Sequence, residues 1–328
     1  MSIKFPYPLL DRLLMIEQIN LLSGLRIPFI FIIDYKAENG YIIKQNELND
    51  NFIRFTANEN CKPTCNKSFQ WEAKPISREL YKIKFDLVIR EIQLGNSFLV
   101  NLTQPAEVKT NLALSEIYNR GTAKYKLWLK DKFTVLSPET FVQIRNGIIS
   151  SYPMKGTIDA SIANAEEIIL NDKKEQAEHA TMVDLIRNDL SMVATHVEVK
   201  RYRYVEKLVT NKGALLQVSS EISGQLPANF HAQLGDILFS QLPAGSISGA
   251  PKPKTLEIIE KAEDYDRGFY TGICGWFDGE NLDSAVMIRF IEQQNKKLIF
   301  KSGGGITFMS DLKSEYEELI QKIYVQIS

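Results

Sequence analysis

Short apolar runs separated by turn residues dominate the first part of the chain. Residues 27–35 and 41–44 are rich in β-branched and aromatic side chains, and Asn39-Gly40 lies between these two runs. This dipeptide favours a tight turn, so the pattern predicts a β-hairpin. The stretch 46–73 is polar and weakly patterned, which predicts an irregular connection.

Apolar residues recur at helical spacing in three longer stretches. Residues 77–94 form one such stretch, and Gly95 follows it as a helix terminator. Similar periodicity over residues 163–194 and 311–327 predicts two further helices. Residues 97–104 alternate instead, which predicts a strand. Because strands and helices are mixed without a regular strand–helix–strand rhythm, the pattern favours an α+β fold.

Length and composition limit the organisation and the function. The 328 residues carry 39 basic and 40 acidic side chains, so the charge balance indicates neither nucleic acid nor a membrane surface as partner. The longest apolar run, Phe29–Ile33, is too short to span a bilayer. We expect a short strand-rich region, residues 1–76, packed on a main region, residues 77–328, in one structural domain overall.

The cysteines and the first residues point to the cytoplasm. Three cysteines, an odd number, suit a reducing compartment, and the first residues show no signal-peptide pattern. Cys61 and Cys65 have the spacing of half a metal site, but no second Cys/His pair accompanies them. We interpret them as a chance pair. With only three histidines, a His-based zinc site is not expected.

The segment around Gly245, Gly249 and Lys252 has a composition that suits ligand binding. Its glycines permit close backbone approach, and its serines, lysines and following helix start can face an anion. The glycine and lysine spacing does not match the nucleotide P-loop. The alternative is a surface turn followed by a helix that begins with proline.

A second hairpin is predicted at Asn146-Gly147, which lies between two strand-like runs. A two-residue turn there would place Glu139 opposite Met154, next to Lys155. Simple alternation puts the carboxylate and the amine on opposite faces, so the register must break near Pro153 or Gly156 if they act together. The alternative is an ordinary cross-strand ion pair.

Carboxylates stand at two further positions that call for an explanation. Glu178 shares a helical stripe with Met182 and Leu185, where an unpaired carboxylate is costly. A divalent cation is one candidate partner, and a solvated helix start is the alternative. Glu315 and Glu318 share a face of the last predicted helix, which follows a run of three glycines. Magnesium is typically held by one or two carboxylates with water and substrate oxygens.

These blocks, in this order, resemble the chorismate-utilising enzymes, which include anthranilate, aminodeoxychorismate, isochorismate and salicylate synthases. The resemblance covers roughly residues 77–328. It implies a chorismate-binding fold of two mostly antiparallel sheets flanked by helices, with the active site between them. The matching segments are Ser137–Glu139, Pro153–Thr157, Glu178–Leu190, Pro243–Lys252, Arg267–Gly275, Ile288-Arg289, Gly303–Ile306 and Glu315–Glu318.

Lys155 selects an activity within this family. Anthranilate synthases typically carry alanine at the matching position, whereas aminodeoxychorismate synthases carry lysine. The resemblance implies component I of aminodeoxychorismate synthase, a transaminase-class enzyme that makes 4-amino-4-deoxychorismate from chorismate and ammonia for 4-aminobenzoate and folate synthesis. The rivals are anthranilate synthase component I and a degenerate family member without activity.

The resemblance also implies roles for individual residues. Lys155 would be the nucleophile and Glu139 the general acid. Glu178 and Glu318 would bind Mg²⁺, with Glu315 assisting through water. The substrate would be held by Thr157, Gly249, Lys252, Tyr270, Arg289, Gly304 and Gly305.

Three departures from the family pattern refine this reading. Leu99 stands where the family has glutamine or a water-activating lysine, which argues against isochorismate and salicylate synthesis. Gln217 stands where the family usually has histidine, and no tryptophan-site motif is visible.

Cys274 lacks the glycine pattern and the histidine of a glutaminase. The resemblance therefore implies a separate glutamine amidotransferase subunit as the ammonia source.

Overall fold

A computed structural model describes residues 5–57, 69–210 and 213–327. Cys61 and Cys65 lie outside these ranges. Within them, the helices are α1 (Arg12–Gly24), α2 (Arg78–Gln93), α3 (Leu114–Arg120), α4 (Ala165–Asn171), α5 (Lys173–Ser191), α6 (Leu234–Ser240), α7 (Gly245–Ser248), α8 (Lys252–Ala262) and α9 (Leu312–Gln321).

Strands make up most of the remaining regular structure. The strands before residue 130 are β1 (Leu10–Asp11), β2 (Phe29–Ile33), β3 (Asn39–Lys44), β4 (Ile53–Ala57), β5 (Trp71–Lys74), β6 (Leu99–Thr110) and β7 (Tyr125–Leu129). Those that follow are β8 (Phe133–Ser137), β9 (Thr140–Arg145), β10 (Ile148–Ser151), β11 (Met154–Asp159), β12 (Thr195–Thr210), β13 (Gly213–Gln225), β14 (Gly249–Ala250), β15 (Ile273–Phe277), β16 (Leu282–Val286), β17 (Phe290–Gln294) and β18 (Lys297–Ile306).

The strands form two antiparallel sheets. The first has the order β1-β3-β2-β15-β16-β9-β10-β13-β11, with β12 also paired to β13. The second has the order β14-β6-β18-β17-β8-β7-β4, with β5 also paired to β6. Helices flank both sheets, so the α+β prediction is confirmed. Strands from before residue 77 lie in both sheets.

The first hairpin is confirmed, but its turn lies elsewhere. β2 pairs with β3, and Asn39 and Gly40 already belong to β3. The turn is instead organised by Asp34, whose carboxylate accepts hydrogen bonds from the main-chain N–H of Glu38 and the side chain of Asn39. An aspartate that bonds the chain four and five residues later closes a longer loop than a two-residue turn.

The prediction of an irregular connection over residues 46–73 is wrong within its described part. β4 pairs with β7 at one end of the second sheet, and the stretch also contains the start of β5, which pairs with β6. Neither strand has a strong pattern of its own. Pairing with a longer neighbouring strand supplies the backbone partners that hold each of them.

The predicted helices are present, but two of them are divided or shorter. Residues 163–194 contain α4 and α5, separated at Asp172, whose carboxylate caps α5 by accepting from the N–H of Glu175. The last helix ends at Gln321 rather than continuing to residue 327. The chain beyond it turns away and pairs Ile327 with Gly121 in a β-bridge.

Several apolar clusters hold the layers together and define where a site can open. One cluster packs α1, α5 and α6 against the first sheet, and another fills the space between β2 and β3 of that sheet and β7, β8 and β17 of the second. A third joins α2, α8 and α9 to β6 and β18. None of the described helices is long and apolar enough to cross a membrane.

Candidate active site

Lys155 lies at an irregularity in β11. The pairing of β11 with β13 shifts between Met154 and Thr157, and Gly156 has φ +86°, in the left-handed region that favours glycine. The shift changes which way the intervening side chains face. The Lys155 Nζ lies 2.7 Å from Glu178 Oε2 on α5.

The predicted meeting of Glu139 and Lys155 across a hairpin is wrong. The Asn146-Gly147 turn is confirmed, since Arg145 pairs with Ile148 across it. However, the pairing of β9 with β10 stops at Gln143 and Ser150, and β11 continues along β13, which also pairs with β10. Glu139 and Lys155 therefore have different partners, and the described residues show no ion pair between them.

Carboxylates and lysines from two helices, α5 and α9, meet around Lys155 of β11. Lys174 Nζ lies 3.8 Å from Glu178 Oε1 and 3.4 Å from Glu315 Oε1. Lys322 Nζ lies 2.5 Å from Glu318 Oε1. The Glu178 and Glu315 side chains are only 6% and 3% exposed, so these charges are largely removed from solvent and each needs a partner. We call this group the acid–lysine cluster: Lys155, Lys174, Glu175, Glu178, Glu315, Glu318 and Lys322.

The pKa shifts in the cluster follow from burial and from these pairings. Burial alone would lower the pKa of the Lys155 amine, but the carboxylates of Glu178 and Glu318 outweigh it and the pKa lies above its ordinary value. Burial raises the pKa values of Glu175 and Glu315. Burial also acts to raise the pKa of Glu318, but Lys322 and Lys155 hold it below its usual range. Lys155 is therefore protonated in this arrangement.

The cluster suits a hard divalent cation in its chemistry. Glu178 Oε1 is buried and accepts no hydrogen bond, and carboxylate oxygens are ligands that Mg²⁺ prefers. Within the described part of the chain, no three His, Cys, Asp or Glu side chains stand close enough to hold an ion. The lysines neutralise these carboxylates instead. The chemistry of Glu178 and Glu318 suits an ion that takes one or two carboxylates directly, with water, which could link Glu315, and substrate oxygens as the other ligands.

Glu139 is bound to the segment that precedes β14. Its Oε1 accepts a hydrogen bond of 2.6 Å from Ser246 Oγ on α7. Burial raises the pKa of the Glu139 carboxyl, whereas the Ser246 hydroxyl and the positive charges of Arg289 and Lys322 partly offset the rise. A carboxyl with a raised pKa retains its proton to higher pH, as a general acid requires.

Arg289 and Tyr270 lie near Glu139. Arg289 has φ +52° and donates a hydrogen bond of 3.3 Å to the Tyr324 hydroxyl. Tyr270 is buried, which raises the pKa of its hydroxyl, and its ring packs against Phe290. This part of the structure thus brings together one guanidinium, two phenol side chains and one carboxyl.

The glycine run places main chain directly beside the acid–lysine cluster. A Cβ at Gly304 would lie 3.5 Å from Glu318 Oε1 and 3.6 Å from Glu315 Oε2. A Cβ at Gly305 would lie 2.9 Å from Leu99 Cδ1 and 4.0 Å from Lys155 Nζ. Glycine at these positions lets the main chain approach the carboxylates and Lys155, and Leu99 packs against Gly305.

Three other predicted binding residues have partners within the protein. Gly249 has φ +127°, and a Cβ there would lie 1.8 Å from Leu99 O, so its close approach is to β6. Lys252 pairs with Asp189 at 2.8 Å and donates to a main-chain carbonyl. Thr157 is exposed and lies opposite Gln217 in β13. Their substrate contacts stay predictions.

Comparison with known proteins adds to this geometry. The family model described as chorismate binding enzyme matches residues 29–328. The chain belongs to the chorismate binding enzyme family. An uncharacterised PabA-like protein of Pasteurella multocida (strain Pm70) is 52% identical over 317 residues, which are 95% of this chain and 98% of that protein.

Relatives with a stated activity match at lower identity. Aminodeoxychorismate synthase component 1 of Klebsiella aerogenes is 34% identical over 77% of this chain and 58% of its own length. Anthranilate synthase component 1 of Saccharolobus solfataricus is 33% identical over 61% and 48%. The structure of anthranilate synthase component I from Streptococcus pneumoniae has a TM-score of 0.69 at 22% identity, covering 98% of this chain and 81% of that one. That likeness supports the fold.

Four residues at the site of this chorismate binding enzyme were not predicted from the sequence. Glu175 lies one turn before Glu178 on α5, and its Oε2 is buried without a hydrogen bond. Lys174 and Lys322 neutralise the cluster, and Lys322 stands four residues after Glu318, a spacing that could have revealed it. No pattern in the sequence links Ser246 to a carboxylate more than a hundred residues away, so only the fold shows this contact.

A groove of about 1250 Å³ runs along α5, and Glu178 is the one member of the acid–lysine cluster on its wall. Lys252 and Asp189 also line it. Phe98 and Phe308, 68% and 77% exposed, belong to the same lining. The volume is ample for a small cyclic acid.

Proposed function

We propose that this chain is component I of aminodeoxychorismate synthase and converts chorismate and ammonia to 4-amino-4-deoxychorismate. The observation that supports this most is Lys155 at the bulge of β11, facing the space beside Gly305 and bound to Glu178. An amine at this point can reach a ring held between the sheets. Relatives named for this activity align with 77% of the chain.

The proposed chemistry uses Lys155 as a transient nucleophile. Its neutral amine forms a bond to C2 of chorismate, the ring double bonds shift, and the bond from C4 to its hydroxyl breaks. Ammonia then forms a bond to C4, the double bonds shift back, and the bond from C2 to Lys155 breaks. The amine is regenerated and one molecule of water is released, so no oxidant or reductant is required.

Glu139 supplies the proton to the departing hydroxyl in this proposal. Burial raises its pKa, which favours the protonated form that a general acid needs. Ser246 fixes the carboxyl orientation through the 2.6 Å hydrogen bond. Arg289, as a planar two-pronged donor, is proposed to hold the enolpyruvyl carboxylate. Tyr270, Thr157 and the glycine main chain would complete the binding of the ring.

Lys155 must lose its proton before it attacks. Glu178 Oε2 lies 2.7 Å from the amine and stabilises the ammonium form. Glu178 and Glu318, with Glu315 acting through water, would hold the proposed Mg²⁺ ion, which would supply positive charge for the ring carboxylate. Because the same carboxylates keep Lys155 charged, sharing them with an ion would make the amine easier to deprotonate.

The proposal includes a separate subunit as the ammonia source. Cys274 is buried, with 1% exposure, and burial raises the pKa of its thiol, which opposes a role as a nucleophile. Glutamine hydrolysis is therefore assigned to an amidotransferase partner. We place the reaction in 4-aminobenzoate and folate synthesis. Cytoplasmic location stays a prediction.

Product analysis tests the proposal. The purified chain is incubated with chorismate, an ammonium salt and MgCl₂, and the products are separated by chromatography and identified by mass. We expect 4-amino-4-deoxychorismate. Anthranilate as the main product would favour the rival synthase instead. Absence of turnover while chorismate still binds would indicate the degenerate family member, which Leu99 and Gln217 leave as an alternative.

A further inference from the structure

The residues after α9 leave the helix and run as an extended segment. Ile323, Val325 and Ile327 are buried in one apolar cluster, while the residues between them are less buried. This period of two is that of a strand, in which alternate side chains face opposite ways. Two main-chain contacts hold the far end, from Thr122 N–H to Gln326 O and in the bridge formed by Ile327.

Because side chains alternate in direction along this segment, the Tyr324 side chain faces the other way and contacts Arg289. The guanidinium carbon of Arg289 lies 4.7 Å from the centre of the Tyr324 ring. One terminal nitrogen also donates to the Tyr324 hydroxyl at 3.3 Å. A guanidinium over an aromatic face is attracted by the ring quadrupole while its remaining donors stay available. The contact therefore holds the group without using all of its hydrogen bonds.

Among the described residues, few other contacts hold the Arg289 side chain. Its main-chain carbonyl accepts from Leu136 N–H, which anchors the backbone at φ +52°. Its Nε is buried and has no hydrogen-bond partner among the described residues. Glu139 and Tyr270 are close enough to be influenced by its charge. A buried donor without a partner leaves capacity for a ligand oxygen.

We propose that Tyr324 is a positioning residue that holds Arg289 in the orientation needed to receive a substrate carboxylate. The inference rests on the proposed role of Arg289 in chorismate binding. It adds a residue from outside the sequence blocks that resemble the family. It also gives the segment after α9 a part in substrate recognition.

Two substitutions separate the ring from the hydroxyl. Tyr324→Phe retains the aromatic face and loses the hydrogen bond, so we expect the KM for chorismate to rise by about two- to fivefold. Tyr324→Leu loses both contacts, and we expect a rise of about tenfold or more. In both, kcat should stay within about twofold, because Arg289 contacts the same carboxylate before and during the reaction.

Tyr316→Phe is the matched control. Tyr316 also lies near the end of the chain and donates its hydroxyl to a main-chain carbonyl, that of Ile76. Loss of the Tyr316 hydroxyl should leave the KM for chorismate unchanged. Melting temperatures of all variants show whether folding is affected. A KM for Tyr324→Leu within twofold of the wild type, or equal changes in Tyr316→Phe, would overturn the proposal.

A double substitution tests whether Tyr324 acts through Arg289. In an Arg289→Lys background the planar guanidinium is absent, so adding Tyr324→Phe should change the KM by less than about 1.5-fold. Independent, multiplicative effects would mean that Tyr324 contributes to folding or binding by another route and would reject the inference.

Calorimetric titration of chorismate in the presence of MgCl₂ keeps this test separate from the proposed activity. If the wild type binds chorismate but forms another product, the proposed synthase activity fails, while the dissociation constants of the Tyr324 variants still test the positioning role. If product forms as proposed and the variants bind chorismate as the wild type does, the positioning role alone is rejected.

Discussion

Lys155 and Glu178 illustrate how two adjacent charges depend on each other. The amine is paired at 2.7 Å with a carboxylate whose side chain is 6% exposed. Removing one member leaves the other buried with weaker compensation, and the remaining nearby cation, on Lys174, lies 3.8 Å away. A residue proposed for catalysis therefore also contributes to stability, and the two contributions must be measured separately.

Lys155→Met should lower kcat by about 10²–10⁴-fold, the size expected for one positioned catalytic group. It should also lower the free energy of unfolding by about 1–3 kcal/mol, because Glu178 loses its nearest partner. Turnover per folded molecule and chemical denaturation measure the two effects. Lys174→Met is the control, since it removes a lysine from the same cluster. Unchanged turnover by folded Lys155→Met would contradict the mechanism.

Ser246→Ala should change the pH dependence through Glu139. Burial raises the pKa of this carboxyl and the Ser246 hydrogen bond opposes the rise by stabilising the carboxylate. A general acid works in its protonated form, so activity falls as the pH rises through its pKa. Loss of the hydroxyl raises the pKa further, and the alkaline limb of kcat should move to higher pH.

Ser248→Ala is the matched control for this change. Ser248 lies on the same short helix, is buried, and donates to the main-chain oxygen of Ala244. Its pH profile should coincide with that of the wild type. An alkaline limb that moves to lower pH in Ser246→Ala, or does not move, would remove Glu139 from the role of acid.

The break in β11 operates at the scale of an element. It shifts the register with β13 and lets the Lys155 amine reach α5, while the flanking residues remain paired. Gly156 suits this point because its φ is +86°, which other residues rarely adopt. A Cβ there would also lie 2.9 Å from Glu175 Oε2, so the end of that side chain would have to shift.

Gly156→Ala should lower both stability and activity. The left-handed backbone alone costs about 1 kcal/mol, and the contact with Glu175 adds to it. Because Lys155 is the neighbouring residue, we expect kcat to fall at least tenfold. Gly95→Ala is the control, since Gly95 has φ +77° with open space around it. It should lose similar backbone stability with unchanged kcat, and equal kcat losses in both variants would contradict a local role for the bulge.

The carboxylates proposed for Mg²⁺ come together only at the scale of the whole molecule. Glu178 lies on α5, which packs on the first sheet, whereas Glu318 lies on α9, which packs on the second. The positive charge of Lys155 attracts the carboxylates of both Glu178 and Glu318 and so helps to hold them together. The cluster therefore bridges the two halves of the fold.

Glu318→Gln should raise the Mg²⁺ concentration for half-maximal activity by about tenfold or more, because it removes a charge with little change in volume. The fold should persist, as judged by the melting temperature without metal. Glu317→Gln, on the exposed face of the same helix, is the control and should behave as the wild type. Equal Mg²⁺ dependence of Glu318→Gln and the wild type would remove Glu318 from the cation site.

Local pattern sufficed for part of the fold and for the family. The helix over residues 78–93 and the turn at Asn146-Gly147 were predictable because periodicity and turn chemistry act between near neighbours. Ordered blocks such as Gly303–Ile306 were enough to indicate a chorismate binding enzyme, and the family match agrees. The residues proposed for the site could likewise be named from those blocks.

Tertiary structure decided which of those residues meet. Lys155 faces Glu178 rather than Glu139, because the pairing of β9 with β10 does not extend to β11 and the register of β11 with β13 shifts at Lys155. β4 and β5 exist because distant strands supply their backbone partners, and the segment after α9 is extended because Ile327 bridges to Gly121. Such contacts join residues far apart in sequence, where neither periodicity nor spacing carries information. The contact between Tyr324 and Arg289 belongs to this class.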